Sequence, residues 1–292
     1  MPSCAALVDP FVSVVTVVLN AAATIEDTLA SVAQQRAGFA FEHVCVDGGS
    51  SDGTRVAIDR WAEQGRHVRR VYEPDHGISE AMNHGLRAAR GEYVLYLHAD
   101  DFLAGPETLA TAMAALVPGA PDHPDLVAGD VVMGRPRRRG WWRRRRVPRL
   151  LLWLRGTGLF PVHQGLFVKR RLLEAAGGFD EGQQLGADVA LYYDLERRWR
   201  PSLRLLGADV AFMRAGGAAN ASTRAMYRGT AELFRFLAAR HTRVRAAAMV
   251  LVKTLQSLSE LRFGRCPCDR WFDGTTADAR QSPRARRAAG RR

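Results

Sequence analysis

Short apolar runs recur along the first hundred residues, and a polar turn follows each of them. Four runs predict strands: Val12–Leu19, His43–Val46, Val68–Tyr72 and Tyr93–Leu97. The first, almost entirely β-branched, and the last, apolar and aromatic, predict buried strands. Between the first two, Ile25, Leu29 and Val32 recur at helical spacing, and Thr24 with Asp27 predicts a capping box at the start of that helix. Strands that alternate with helices predict an α/β fold with a mostly parallel, twisted sheet and helices on both faces.

Polar side chains stand where these strands end. Four successive strand ends carry an amide or a carboxylate: Asn20, Asp47, Asp75 and Asp100. Ligands of open α/β sheets bind outside the carboxyl ends of the strands, and Mg²⁺ is held by one or two carboxylates together with substrate phosphates. The pair Asp100–Asp101 therefore indicates a metal and diphosphate site. Taken alone, the pair also fits a cap on the following helix, and the glycine-rich loop Asp47–Thr54 also fits a simple turn.

Four motifs give the chain a resemblance to glycosyltransferase family 2, the inverting, nucleotide-sugar-dependent enzymes with the GT-A fold. They are SVVTVVLN at 13–20, VDGGSSDGT at 46–54, EPDHGISEAMNHGLRAARGEYVLYLHADD at 73–101, and HQGLFVKRRLLEAAGGFDE at 163–181, with Ala187–Asp188 after it. The resemblance covers about 12–210. Their order and spacing are similar to the branch that builds bacterial exopolysaccharides and cell-envelope glycolipids.

The resemblance implies a role for each matching residue. Asp188 is the expected catalytic base, and Asp100 is the expected ligand of a Mg²⁺ or Mn²⁺ ion. Asp47 is expected to meet the nucleotide base, while Asp75 and Asn83 help to hold the nucleotide. The complete set expected to bind the nucleotide sugar is Val18, Asn20, Asp47, Gly49, Asp75, His76, Asn83, Asp101 and His163.

Four positions, at three sites, depart from the family pattern. Val17–Val18 replaces the usual Pro-Thr pair, so only backbone contacts to the nucleotide remain there. His98 stands where an acid or amide usually opens the metal motif, which leaves Asp100 as the strong carboxylate ligand. Ala190 replaces a second acid after the base. Asp100 and Asp188 are both retained, so we expect an active enzyme.

The expected chemistry explains why these residue types are needed. A metal stabilises the charge that develops on the leaving diphosphate, and a carboxylate removes the proton of the acceptor hydroxyl. One displacement with one base inverts the anomeric carbon. Asp188 also fits a plain structural role, because a carboxylate at the start of the amphipathic segment Val189–Trp199 stabilises a helix N-terminus. His163, at the start of the strand Gly165–Val168, fits a structural role as well as a site role.

The positive charge of the chain is concentrated. The formal net charge is +12, and the nine arginines of Arg135–Arg149 are interleaved with Trp141 and Trp142 and followed by Leu150–Leu154. Such a run suits an anionic membrane surface, and it also fits a solvated loop or, least favoured, nucleic acid. The other proposed partners are a nucleotide sugar donor and a lipid-linked or glycan acceptor.

Three segments are expected: a GT-A glycosyltransferase domain at 1–221 with a basic insertion at about 134–156, a helical extension at 222–265 that fits association with a membrane, and a disordered basic tail at 266–292. In the extension, Val244, Ala248, Leu251, Leu255 and Leu258 share one helical face. No transmembrane run or signal peptide is expected, and the four cysteines fit reduced thiols. These features predict a cytoplasmic protein, peripheral at the inner face of the cytoplasmic membrane.

The sequence thus predicts an inverting, metal-dependent glycosyltransferase that moves a sugar from a nucleotide sugar, expected to be UDP-linked, to a hydroxyl of a lipid-linked or polysaccharide acceptor. One alternative is a sugar-phosphate nucleotidyltransferase, although Asn20–Ala23 stands where that class has a basic glycine-rich loop. The other is a non-catalytic basic module that binds membranes or nucleic acid, which His98 and Val18 favour.

Overall fold

Four parallel strands form the centre of the sheet. In a computed structural model, residues 9–65, 68–114, 123–135, 140–147, 161–183, 186–215, 223–264 and 266–267 are described. The central strands are β1 (Val12–Val18), β2 (Phe41–Asp47), β3 (Val68–Tyr72) and β4 (Tyr93–Tyr96), and they lie side by side in the order β4-β1-β2-β3. Every residue of β1 is buried, as expected for a strand covered on both faces.

Six further strands extend the sheet beyond β4. They are β5 (Phe102–Leu103), β6 (Leu126–Gly134), β7 (Gly140–Arg145), β8 (Leu166–Lys169), β9 (Leu203–Arg214) and β10 (Leu261–Gly264). The main path runs β10-β7-β6-β8-β4-β1-β2-β3, while β9 pairs with β5 and β6. The pairs β4–β8, β6–β8, β6–β7, β7–β10 and β5–β9 are antiparallel, and β6–β9 is parallel.

Helices cover both faces of the sheet. They are α1 (Ile25–Ala33), α2 (Thr54–Glu63), α3 (Ile78–Ala88), α4 (Thr108–Met113), α5 (Arg170–Ala175), α6 (Ala187–Trp199), α7 (Thr223–Ala238) and α8 (Arg243–Ser259). The alternation of β1 divides the core: Val15 and Val17 pack with α3, α5 and α6, while Val12 and Val14 pack with α1 and α4. The predicted α/β layers are therefore confirmed.

The predicted capping box at the start of α1 is wrong. Thr24 stands at the N-cap but its side chain makes no capping bond, and its hydroxyl donates to the Ala21 carbonyl at 3.4 Å instead. Asp27 accepts a hydrogen bond at 2.6 Å from Nη2 of Arg214, at the end of β9. The local pattern assigned the Asp27 carboxylate to the helix terminus, but this carboxylate binds Arg214 from a distant strand instead.

The C-terminal helices form a hairpin that docks on the domain. Leu237 of α7 and Ala246 and Met249 of α8 share a buried cluster. Tyr193 of α6 contacts this hairpin, because its hydroxyl lies 2.9 Å from Nε2 of His241 and its ring packs edge-on to Phe236. The range predicted to be helical at 222–265 ends in a strand, since β10 pairs with β7.

The basic insertion contributes a strand of the sheet. Gly140–Arg145 forms β7, and Arg144 donates to Asp209 at 2.9 Å. Arg145 pairs with Glu260 at 3.4 Å, which ties β7 to the end of α8. Other parts of the predicted basic segment, including Leu150–Leu154, and nearly all of the predicted tail lie outside the described residues. The predicted segment boundaries remain predictions.

Two further expectations concern the membrane and the cysteines. Within the described parts of the chain, none of the helices combines the length and the apolar character that crossing a bilayer requires. Cys45 and Cys266 are buried free thiols, as expected, and Cys4 and Cys268 lie outside the described residues.

Candidate active site

The ends of the central strands converge as the sequence predicts. A Cβ atom added to Gly48 would lie 2.0 Å from Oδ2 of Asp75, so the loop after β2 and the segment after β3 are in direct contact. The Gly48 amide donates to the Val18 carbonyl at 3.1 Å, which joins the end of β1 to the same edge. Gly49 has φ of 108°, a conformation that glycine adopts without strain.

Asn20 organises the glycine-rich loop. Its φ of 51° places it in the left-handed region, and its side-chain oxygen accepts a hydrogen bond from the Ser51 amide at 2.9 Å. Its own amide donates to the Ser50 hydroxyl at 2.8 Å. In this structure the Asn20 side chain therefore supports the loop, and its predicted contact with a nucleotide sugar remains a prediction.

Asp47, the last residue of β2, is buried, and an arginine binds its carboxylate. Its Oδ1 atom accepts from the Ser50 amide at 3.0 Å, and its Oδ2 atom accepts from Nε of Arg55 at 3.0 Å. The Arg55 guanidinium lies 4.4 Å from the centroid of the Tyr72 ring. A nucleotide base that reached Asp47 would have to enter beside this Arg55–Tyr72 stack.

The segment after β3 contains three predicted site residues. Asp75 accepts from the Gly77 amide at 3.1 Å, and partial burial raises the pKa of its carboxyl. His76 is exposed and interacts with Glu80. Asn83 is buried in α3, where its amide group bonds the backbone of Phe179 and the Glu181 carboxylate. The contacts of Asn83 favour a role in holding the turn at 178–181, and its nucleotide role remains a prediction.

Asp101 is the buried member of the acidic pair that follows β4. Only 2% of its surface is exposed, and burial followed by the neighbouring Asp100 charge raises the pKa of its carboxyl well above the usual value. Its Oδ2 atom accepts from Nε2 of Gln164 at 3.0 Å, and its Oδ1 atom accepts from the Arg214 amide at 3.2 Å. Both oxygens are thus occupied within the protein, which favours a structural role over the predicted sugar contact.

Asp100 is the member of the acidic pair whose carboxylate remains available to a ligand. Apart from its own backbone amide, its carboxylate accepts no hydrogen bond from the described residues, and burial raises its pKa. No cluster of three or more His, Cys, Asp and Glu side chains suited to a metal occurs in the described ranges. One free carboxylate nevertheless fits a divalent ion that takes its remaining ligands from substrate phosphates and water.

Two histidines connect this turn to Asp188. Nε2 of His98 lies 2.8 Å from Nε2 of His163, and Nδ1 of His163 lies 3.0 Å from Oδ2 of Asp188 in the first turn of α6. Burial, and then the charge of His163, lowers the pKa of His98 to about 3, so its ring is neutral near pH 7. The structure therefore joins His163, the metal motif and the expected base in one chain of contacts.

The surroundings of Asp188 keep it ionised. Burial alone would raise its pKa, but the hydrogen bond with His163 and the charges of His163 and Lys253 lower the pKa of Asp188 to about 2. The N-terminal turn of α6 adds a hydrogen bond from the Val189 amide. The carboxylate is thus ionised at neutral pH, which is the form that a general base requires.

Sequence reasoning missed three residues at this site. Gln164 and Arg214 bind Asp101, and Lys253 from α8 acts electrostatically on Asp188. Gln164 sits beside a predicted residue, but its partner lies 63 positions away and no local pattern indicates the contact. The sequence sets Lys253 apart in one respect, because only two of the 42 basic residues are lysines.

The geometry agrees with comparisons to known proteins. Residues 13–176 match Glycosyl transferase family 2. The chain belongs to this family. The resemblance seen in the sequence motifs is thereby confirmed, and the match favours a glycosyltransferase over the alternative nucleotidyltransferase.

Relatives of the chain include bacterial glycosyltransferases. The PGL/p-HBAD biosynthesis glycosyltransferase of Mycobacterium tuberculosis is 35% identical over 180 residues, which cover 61% of this chain and 67% of the relative. The putative teichuronic acid biosynthesis glycosyltransferase TuaG of Bacillus subtilis is 39% identical over 93 residues, or 32% of this chain and 36% of that protein.

Solved glycosyltransferase structures share the fold. A mannosyltransferase from Pyrobaculum calidifontis, in complex with GDP-Man and Mn²⁺, has a TM-score of 0.57 and 22% identity over 96% of this chain and 83% of its own. S. aureus TarS 1–349 in complex with UDP has a TM-score of 0.54 and 19% identity; the match covers 75% of this chain and 63% of the TarS chain. The predicted GT-A fold is confirmed.

The two neighbouring aspartates should respond differently to substitution. Asp101→Ala should lower the free energy of unfolding by about 3 kcal/mol, because the Gln164 amide and the Arg214 backbone lose buried acceptors. Asp100→Ala is the matched control and should change it by about 0.5 kcal/mol or less, since its carboxylate supports no other residue. Urea denaturation measures both, and equal losses would contradict the structural assignment of Asp101.

Proposed function

We propose that the protein transfers a sugar from a nucleotide sugar to the hydroxyl of a lipid-linked or polysaccharide acceptor in cell-envelope glycan synthesis, with inversion at the anomeric carbon. The observation that carries this proposal is that Oδ2 of Asp188 lies 3.0 Å from Nδ1 of His163. His163 in turn contacts His98, which opens the metal motif. The named roles of the mycobacterial and Bacillus relatives support the class of acceptor.

A UDP-linked donor is proposed from two lines of support. The expected base-binding residue Asp47 ends β2 beside the glycine-rich loop, and TarS is a structural neighbour in complex with UDP. A structural neighbour in complex with GDP-Man shows that the fold also accommodates a guanine nucleotide. Calorimetry that compares the affinities for UDP and GDP therefore identifies the nucleotide base. Assays with the preferred nucleotide then identify the donor sugar.

The residues divide the reaction between them. Asp100 would hold a Mg²⁺ or Mn²⁺ ion, which supplies charge stabilisation to the leaving diphosphate. Asp188 accepts the proton of the acceptor hydroxyl as that oxygen bonds to the anomeric carbon. His163 orients the carboxylate through Oδ2, and neutral His98 holds His163 from its far side. One displacement with one base inverts the configuration of the transferred sugar.

The base prediction separates catalysis from binding. Asp188→Asn should lower turnover by about 10²–10⁴-fold while nucleotide affinity stays nearly unchanged, because the amide keeps the shape of the carboxylate but accepts no proton. Asp194→Asn, farther along α6, is the matched control and should keep full turnover. Calorimetry that shows an equal loss of nucleotide binding in Asp188→Asn would make Asp188 a binding residue instead.

The metal prediction concerns Asp100 and His98. Asp100→Ala should abolish metal-dependent hydrolysis or transfer of the donor sugar, since the remaining ligands come from substrate and water. His98→Asp should lower the metal concentration needed for half-maximal rate if position 98 borders the ion. Activity of Asp100→Ala that survives EDTA treatment at the wild-type rate would remove the metal from the proposed mechanism.

Peripheral attachment to an anionic membrane is proposed for the outer face of α8. Arg144 and Arg145 of the basic insertion are paired with Asp209 and Glu260, so their charges are partly used within the protein. The helix α8 contains no acidic residue, and it exposes a row of apolar side chains: Val244 at 81%, Leu251 at 57%, Leu255 at 55% and Leu258 at 63%. Exposed arginines flank the row, as in interfacial helices: Arg240, Arg243, Arg245 and Arg262. An inner-leaflet location of the cytoplasmic membrane fits the use of nucleotide sugars.

Vesicle sedimentation tests this surface. The double variant Leu251→Glu with Leu255→Glu should release the protein from anionic vesicles at physiological salt, because it removes apolar contact and adds repulsion. Val56→Glu is the matched control, since Val56 is 71% exposed on α2. If Val56→Glu releases the protein equally, or if the double variant still sediments, the outer face of α8 is not the contact surface.

A further inference from the structure

The carboxylate at the end of β2 is closed to ligands in this structure. None of the Asp47 side chain is exposed, and its two oxygens accept from the Ser50 amide and from Nε of Arg55, each at 3.0 Å. The Arg55 side chain, by contrast, is 45% exposed. At this strand end, a nucleotide would therefore meet the guanidinium group before it could meet the carboxylate.

Two contacts hold this guanidinium in place. Its Nε atom donates to Asp47, and its Cζ atom lies 4.4 Å from the centroid of the Tyr72 ring. Tyr72 is the last residue of β3, and its hydroxyl donates to Oδ1 of Asp59 at 2.6 Å. Asp59 lies on α2, one helical turn after Arg55, so the ring is fastened to the same helix. Neighbours on β2, β3 and α2 thus determine the position of the guanidinium.

Most of the hydrogen-bond donors of Arg55 are unused. A guanidinium has five N–H groups, and only the Nε group of Arg55 has an acceptor among the described residues. The Asp47 carboxylate, 3.0 Å from Nε, already balances the positive charge. The remaining N–H groups therefore suit a neutral acceptor, such as a carbonyl oxygen, better than a second anion.

The order of the strands places Arg55 where a nucleotide base would lie. Asp100 follows β4, and the central strands lie in the order β4-β1-β2-β3. Adjacent strands are about 4.8 Å apart, so the end of β2 lies about 10 Å from the end of β4. The ribose and the phosphates of a nucleotide separate its base from a metal-bound diphosphate by a comparable distance. A donor whose diphosphate lies at Asp100 would thus bring its base to the ends of β2 and β3, where Arg55 and Tyr72 meet.

We propose that Arg55 selects the base of the donor nucleotide. Its Nη atoms donate to the carbonyl oxygen at position 4 of uracil or at position 6 of guanine. The inference rests on the proposed transfer reaction and adds to it a residue that determines the nucleotide specificity. Asp47 then acts through Arg55, which it orients, and Tyr72 supports the guanidinium from one face.

The contact with Arg55 determines which bases the site rejects. Uracil and guanine present an oxygen acceptor at these positions, whereas cytosine and adenine present an amino group, which is a donor. An amino group that faces the N–H groups of Arg55 gains no hydrogen bond, and the donors that the base covers lose their water. UDP and CDP differ only in this part of the pyrimidine ring and therefore form the decisive pair. GDP and ADP form the corresponding pair of purine nucleotides.

Calorimetry with nucleoside diphosphates and Mg²⁺ tests the base contact without the transfer reaction. The wild type should bind UDP about ten-fold or more tightly than CDP, or GDP than ADP if the purine is preferred. Arg55→Met should remove this preference, because the affinity for the first nucleotide of the pair falls about ten-fold while that for the second changes little. A preference that survives in Arg55→Met overturns the inference alone, because another group, such as the uncovered Asp47, then contacts the base. Wild type that binds none of the four nucleotides overturns the proposed transfer as well.

Two further variants control for charge and for folding. Arg60→Met removes a positive charge from the same helix, where Arg60 pairs with Glu26, and its affinities should stay within about two-fold of wild type. Arg55→Met leaves the buried Asp47 without its charged partner, so a lower melting temperature is expected. The double variant Asp47→Asn with Arg55→Met leaves no unpaired charge at this position and should show the same loss of preference. A double variant that still prefers UDP over CDP would contradict the proposal.

The pattern of losses identifies what Arg55 contacts. If Arg55→Met weakens the binding of UDP and CDP equally, the guanidinium contacts the ribose or the phosphates, which both nucleotides share, and the proposal is wrong. In transfer assays, Arg55→Met should raise the KM of the donor and leave kcat nearly unchanged, because the base contact is the same before and during the reaction. A fall in kcat with an unchanged KM would place Arg55 at the reacting groups and overturn its role in selecting the base.

Discussion

The arrangement of the site depends on the hydrogen bonds that the buried Asp101 carboxylate accepts. It accepts from Gln164, 63 residues later, and from the backbone of Arg214, 113 residues later. The Thr28 hydroxyl of α1 donates to the carbonyl of the same residue at 2.6 Å. Because a buried carboxylate is costly without partners, these segments must pack together before the turn after β4 is stable.

This anchor determines what the neighbouring residues can do. Gln164 holds Asp101, so the preceding residue His163 is brought against His98 and, through its other nitrogen, against Asp188. Asp100 lies in the same turn, and its carbonyl accepts a hydrogen bond from Nε of Arg214 at 3.1 Å, but its carboxylate makes no bond to these partners. Of two adjacent aspartates, one is therefore used to build the site and the other is left for a ligand, which the sequence pair alone does not distinguish.

The parts of the structure that local sequence predicts are those that local forces determine. Buried parallel strands need apolar runs, so β1, β2 and β4 and the polar residues at their ends were predictable from the pattern. The strand β3 was predicted as well, although it lies at the edge of the sheet and is only partly buried. The capping box failed because Asp27 binds Arg214, 187 residues away. The strand β10 is four residues long and pairs with β7, more than a hundred positions earlier, so it left no local signal.

The residues of the proposed transfer reaction lie in two parts of the chain. The residues proposed for the nucleotide and the metal lie within the family match at 13–176, whereas Asp188 and Lys253 lie beyond it. The helix α8 exposes Leu251, Leu255 and Leu258 on its outer face, and its residue Lys253 acts electrostatically on Asp188, so this hairpin belongs to the half of the chain that the proposed acceptor would meet.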